Sequence, residues 1–151
     1  MNTSSRVRVI LLDDNEGVRS ILAEILEERG YEVFPYSDPG ICPLQLEREC
    51  LCSKGQACAD IIISDVDMPS MTGLEFIENQ KEKNCKIRHV VLISGGWTEE
   101  RLSRAHALGC KTFSKPFPFN ELYKWLDEIE KSIEPARELT NWFQETDSQN
   151  F

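Results

Sequence analysis

No run of apolar residues in this sequence is long enough to span a membrane, and the N-terminal Met1-Asn2-Thr3-Ser4-Ser5-Arg6 is not a secretory signal. A membrane-anchored or exported protein is therefore not expected, and a cytoplasmic one is. Basic residues are in short supply: 17 Lys and Arg against 26 Asp and Glu leave a net charge of −9. A surface of that sign repels nucleic-acid phosphates and anionic lipid, so neither is an expected partner. Histidine is scarcer still, with two. His89 precedes an apolar run and His106 lies in a helical pattern, so neither makes a rival catalytic base. There is no internal repeat and no sign of a second domain.

What is present suits one globular domain. The 151 residues, 40% hydrophobic, suffice for a core. The chain is organised around Ile61-Ile62-Ile63-Ser64-Asp65-Val66-Asp67-Met68-Pro69. Three isoleucines without helical spacing read as a short strand buried on both faces. Pro69 and Gly73 end it, so Asp65 sits where the strand emerges into a loop.

Other strands read the same way. Val7 to Leu12 is apolar except for Arg8 and ends in Asp13-Asp14. Tyr31 to Tyr36 is a second strand, Val90 to Ile93 a fourth that ends in Ser94-Gly95-Gly96, and Lys111 to Ser114 a fifth that delivers Lys115-Pro116. Between them lie helical patterns. Val18, Ile21, Leu22, Ile25 and Leu26 make one apolar stripe, closed by Gly30. Gly73 to Lys83 makes another, and Thr98 caps a third that runs through Leu108. Leu122, Trp125, Leu126, Ile129 and Ile133 mark the last. Strands alternating with helices predict an α/β fold with a parallel sheet and right-handed crossovers.

Each polar signal therefore falls at the carboxyl end of a strand, and parallel strands put those ends on one edge of the sheet. Singly, each has an ordinary role: Asp13, Asp14 or Asp65 as a cap, Ser94 as a turn residue, Lys115 as a solvated lysine. Together they form a constellation. Three crowded carboxylates call for a cation, and Mg²⁺, a hard ion that takes carboxylate, water and phosphate oxygens, fits best. A carboxylate beside such an ion can act as a nucleophile towards phosphorus, with a lysine and a hydroxyl to hold the phosphoryl oxygens.

Here the sequence resembles the receiver domains of two-component response regulators, over roughly residues 6 to 133. The matching pieces are Leu12-Asp13-Asp14-Asn15, Asp65 through Gly73, Ile93-Ser94-Gly95 and Lys115-Pro116-Phe117. The resemblance implies a doubly wound, flavodoxin-like sheet of five parallel strands in the order 2-1-3-4-5. It implies that Asp65 is the phosphoacceptor, that Asp14 binds Mg²⁺ directly, Asp13 through water and Asp67 through its backbone carbonyl. Ser94 then matches the switch hydroxyl and Lys115 the phosphate-contacting lysine, with a cis Lys115-Pro116 bond. Such a module catalyses only its own phosphoryl transfer and dephosphorylation. Its phosphodonor would be a sensor histidine kinase or phosphotransfer protein, and it would signal through a downstream protein target. Partners would dock near Thr98–Leu108 and Asn120–Ile133, with Arg104, Tyr123 and Lys124 as candidate contacts.

Three features depart from that family. The fifth strand has Thr112 where an aromatic residue is expected three places before the lysine. Phe113 should face the other way, so either the register is shifted or the aromatic switch is missing. After residue 133 the chain reads as a polar tail, 134–151, with no output domain, which makes residues 1–133 a stand-alone receiver. Residues 37–59 form an irregular insert, in which Pro43 to Glu49 predicts one short helix.

That insert holds Cys42, Cys50, Cys52 and Cys58. It admits three readings: a Zn²⁺ or iron–sulfur site on those four thiolates, disulfides such as Cys42 with Cys58, or free structural thiols. The metal reading carries an alternative function, a redox- or metal-sensing interaction module on a receiver scaffold. Cys50-x-Cys52 is tight spacing for two ligands of one ion. Cys85 and Cys110 read as isolated small hydrophobes.

Overall fold

The computed structural model describes residues 6–52, 56–116 and 119–142. Five parallel strands form one sheet in the order β2-β1-β3-β4-β5, as expected. They are β1 (Arg8–Leu12), β2 (Glu32–Tyr36), β3 (Ile61–Asp65), β4 (His89–Ser94) and β5 (Lys111–Ser114). The helices are α1 (Glu16–Glu28), α2 (Pro43–Leu46), α3 (Gly73–Glu82), α4 (Glu99–Ala107) and α5 (Phe119–Glu130).

Strand alternation divides the core into two layers. Val9, Leu11, Ile61, Ile63, Val91 and Ile93 point to one face, where Leu22 and Leu26 of α1 and Leu122, Leu126 and Ile129 of α5 cover them. Ile10, Leu12, Ile62, Val90 and Leu92 point to the other, under Leu74, Phe76 and Ile77 of α3 and Ala105 of α4. Every residue of β1 and β3 is buried, and apart from Arg8, Ser64 and Asp65 each is apolar, as strands covered on both faces require.

The helix starts are set by local side chains. Asn15 accepts from the Val18 amide at α1. Thr72 and Glu75 form a reciprocal capping box at α3. Thr98 accepts from the Arg101 amide at α4. Within the insert a 3₁₀ turn, Pro39–Ile41, leads directly into the four-residue α2, so the helix predicted over 43–49 is shorter than expected.

Beyond α5 the described residues, to Trp142, stay on the body. Thr140 donates its amide to the Ala57 carbonyl, and Leu139 pairs with Ala57 in a parallel bridge. Arg137 donates to both oxygens of buried Asp60. Trp142, 6% exposed, packs at a tilt against Phe34, ring centroids 5.1 Å apart, and donates its indole N–H to the Cys58 carbonyl. The segment read as a polar tail is thus, over 134–142, docked on the amino edge of the sheet. Phe143 lies outside the described residues. Among the described residues no helix is long and apolar enough to cross a membrane.

Candidate functional site

The carboxyl edge of the sheet collects the predicted residues. β1 ends just before Asp13, β3 ends on Asp65, β4 ends on Ser94, and β5 stops one residue before Lys115. Carboxylate oxygens of Asp13, Asp14 and Asp65 all lie within 4.8 Å of one another. Asp13 and Asp65 are buried, and Asp14 is exposed beside them.

Asp13 Oδ1 accepts from the Asn15 amide at 2.8 Å, which fixes the turn into α1. Lys115 Nζ stands 3.2 Å from Asp65 Oδ2. The other oxygen, Asp65 Oδ1, is buried with no hydrogen-bond partner among the described residues. An acceptor left so in a buried site costs free energy unless something donates or coordinates there.

The electrostatics agree. Burial, only partly offset by Lys115 and reinforced by the charge of Asp13, pushes the Asp65 carboxyl up to about 6. Asp13 is likewise raised, chiefly by burial. For Lys115, partial burial works against its charge, but the hydrogen bond to Asp65 and the surrounding carboxylates outweigh it and raise its pKa. The pocket holds more negative charge than its single lysine offsets. A divalent cation bound by oxygen atoms would relieve this, so the donor set fits Mg²⁺.

The Ser94 hydroxyl is fully buried and already engaged. It donates to Asp67 Oδ2 at 3.3 Å, and accepts from the Gly96 amide at 2.9 Å and from Arg101 Nη1 at 3.4 Å. Arg101 also bridges to Asp67 Oδ1 at 2.9 Å. The carboxylate of Asp67 is therefore turned to Arg101 and Ser94, apart from the trio of Asp13, Asp14 and Asp65. Arg101 was missed by sequence reasoning. Its position, three residues after the cap Thr98, is the one signal that could have placed it at this edge.

Gly73 is required by close approach. A Cβ there would stand 2.4 Å from the Asp65 carbonyl oxygen and 3.0 Å from Ser64 Oγ. Gly95 has room, with nothing nearer than Lys115 Cβ at 3.8 Å. The Lys115-Pro116 bond is cis, as expected.

The register of β5 is not shifted. Phe113 pairs with Ile93 and is buried in the layer under α1 and α5, whereas Thr112 pairs with Leu92. No aromatic side chain of β5 faces α4. Trp97, in the loop before α4, instead donates its indole N–H to the Phe113 carbonyl at 2.8 Å. Arg104 is held by Glu78 of α3 at 2.8 Å, so this docking candidate is already paired within the chain.

The sequence profile of the response regulator receiver domain matches residues 9–127. The chain belongs to the response regulator receiver family. Among curated relatives, the receiver is 25% identical over 116 residues to sporulation initiation phosphotransferase F of Bacillus subtilis, covering 76% of this chain and 86% of that one. It is 32% identical over 108 residues to the chemotaxis protein CheY of Treponema pallidum, covering 70% and 69%. The solved structure of the Vibrio cholerae chemotaxis protein CheY4 superposes with a TM-score of 0.63 at 28% identity, covering 82% of the receiver and 98% of that chain.

The cysteines require a correction. Cys42 does not join Cys50, Cys52 and Cys58. It is fully buried at the start of α2, and burial pushes its thiol up to about 11. Its place is taken by Cys85, from the loop between α3 and β4, which is not the isolated hydrophobe expected. The sulfurs of Cys50, Cys52, Cys58 and Cys85 all lie within 4.8 Å of one another. None of the six cysteines is in a disulfide. Cys110 is buried as a small hydrophobe.

Proposed function

We propose that this receiver accepts a phosphoryl group on Asp65 from the phosphohistidine of a sensor histidine kinase or phosphotransfer protein, and signals through a downstream protein partner. One observation carries the reading: a buried carboxylate with one oxygen unpartnered among the described residues, flanked by two further carboxylates and by Lys115 at 3.2 Å.

Asp13, Asp14 and Asp65 would hold Mg²⁺, with the Asp67 carbonyl as a further ligand implied by the family. When bound, the ion neutralises charge on the carboxylates and the incoming phosphoryl oxygens. The chain's own residues do the rest. An Asp65 carboxylate oxygen attacks phosphorus as the P–N bond to the donor histidine breaks, leaving an acyl phosphate and a free imidazole. Lys115 supplies a fixed positive charge to a phosphoryl oxygen. The Ser94 hydroxyl supplies a hydrogen-bond donor once it leaves Asp67.

The acyl phosphate carries about two negative charges at the edge of β3, where the carboxylate carried one. Ser94, Asp67 and Arg101 share one network, so moving the hydroxyl is felt at the first turn of α4. With Thr112 on β5, this polar network and Trp97 are the available links from the site to the face of α4 and α5.

Intact-mass measurement with Mg²⁺ and a small-molecule phosphodonor tests the assignment. The wild-type chain gains one phosphoryl mass and Asp65→Asn gains none; an unchanged gain in Asp65→Asn overturns it.

A further inference from the structure

We propose that Cys50, Cys52, Cys58 and Cys85 form a mononuclear tetrathiolate zinc site that staples the insert to the loop between α3 and β4. The geometry carries this. A tetrahedral ion with Zn–S bonds of about 2.3 Å spaces its sulfurs about 3.8 Å apart. Cys52 Sγ and Cys85 Sγ are 3.9 Å apart, and all four sulfurs lie within 4.8 Å of one another. A cluster with several irons between its cysteines would hold them farther apart, so a single ion fits better.

The surrounding backbone is arranged for thiolates. Cys52 Sγ accepts from the amides of Cys58 and Lys86, both at 3.2 Å, and Cys50 Sγ from the Cys52 amide at 3.5 Å. Amide donors aimed at sulfur stabilise S⁻ over SH. Four thiolates around Zn²⁺ leave a charge of about −2. Arg48, Lys83 and Lys86 line the adjoining pocket and, net of Glu49 beside them, offset part of it. Binding releases the thiol protons, and no oxidant or reductant is needed.

All four positions come from protein, so the site has no open position for substrate and is structural rather than catalytic. Its reach explains its use. Cys50 and Cys52 belong to a stretch with no helix or strand of its own, while Cys85 is anchored by donating its backbone N–H to the Gln80 carbonyl at the end of α3. Cys58 lies two residues before Asp60 and offers its carbonyl to Arg8 and Trp142. One ion would thus order both the insert and the amino edge of the sheet on which residues 134–142 dock.

Elemental analysis of the full chain, expressed with zinc and purified under reducing conditions, should find about one zinc per chain. Replacement by Co²⁺ should give the intense visible bands of a tetrahedral cobalt thiolate. Cys85→Ser should lose the metal, and Cys42→Ser should keep it. Should Cys85→Ser not fold, chelation of the wild-type protein gives the second measurement: alkylation of these four thiols should quicken at least about tenfold once zinc is removed. Metal-free protein whose four thiols react at the same rate with and without chelator overturns the site. Stoichiometric iron, a disulfide among the four, or equal metal loss in Cys42→Ser and Cys85→Ser overturns it as well.

Discussion

At the scale of a residue, Asp65 is held in a state that disfavours its own charge. Its folded pKa of about 6 lies above the ordinary 3.8, mainly because it is buried. A folded chain with a raised carboxyl pKa binds a proton that the unfolded chain has released. Stability therefore falls as pH rises from about 4 to about 6, and stays lower above that. Asn at this position removes the charge and keeps the shape. In the presence of chelator, Asp65→Asn should be more stable than wild type at pH 7 by roughly 1–2 kcal/mol, with the gap closing towards pH 4. Added Mg²⁺ should stabilise the wild type more than the variant. Denaturant unfolding at several pH values checks this. A variant less stable at pH 7 would mean that the Asp65–Lys115 pair outweighs burial, contrary to the argument.

At the scale of elements, the site exists because strands end where they do. β3 stops on Asp65, and the chain must then turn into α3 within a few residues. Gly73, the first residue of α3, donates its amide to the Val66 carbonyl at 2.9 Å and lies against the Asp65 carbonyl. Both contacts are to backbone, which cannot swing aside as a side chain could. Gly73→Ala should therefore push α3 away from the end of β3, costing about 1–3 kcal/mol by overpacking. Asp65 would be displaced with it, so phosphorylation should slow even at temperatures where the variant stays folded. A fold as stable as wild type, phosphorylated at an unchanged rate, would show that the loop absorbs the methyl group. Much at this scale was legible in the sequence. Buried parallel strands are mostly apolar, so their polar ends stand out, and caps such as Thr98 are local signals. The network of Arg101 with Asp67 and Ser94 was not legible, because it depends on where a loop sets down the first turn of α4.

At the scale of the whole molecule, the sheet has two working edges. The carboxyl edge carries the acidic pocket. The amino edge gathers the cysteine segment, the Asp60–Arg137 pair and the returning chain. Its assembly was hidden in the sequence because the contacts that close it join distant stretches. Cys85 meets Cys52 across 33 positions and Trp142 meets Cys58 across 84. A segment rich in charged and polar residues gives no periodic pattern to announce that one tryptophan anchors it. The anchor can be tested directly. Trp142 is nearly fully buried, packs on Phe34, and donates to a carbonyl that Arg8 also contacts at 3.0 Å. Removing the indole leaves that carbonyl with a donor, so the loss is chiefly packing. Trp142→Ala should cost about 3 kcal/mol, as large-to-small aromatic changes in a core do, and Trp142→Phe should recover more than half. Because the anchor holds residues 56–60 against β1, their amide exchange should quicken in Trp142→Ala while the strands of the carboxyl edge stay protected. Phosphorylation of Asp65 should proceed in the variant at temperatures where it remains folded. A change of less than about 0.5 kcal/mol, within the range of an ordinary surface substitution, would show that residues 134–142 merely rest on the sheet.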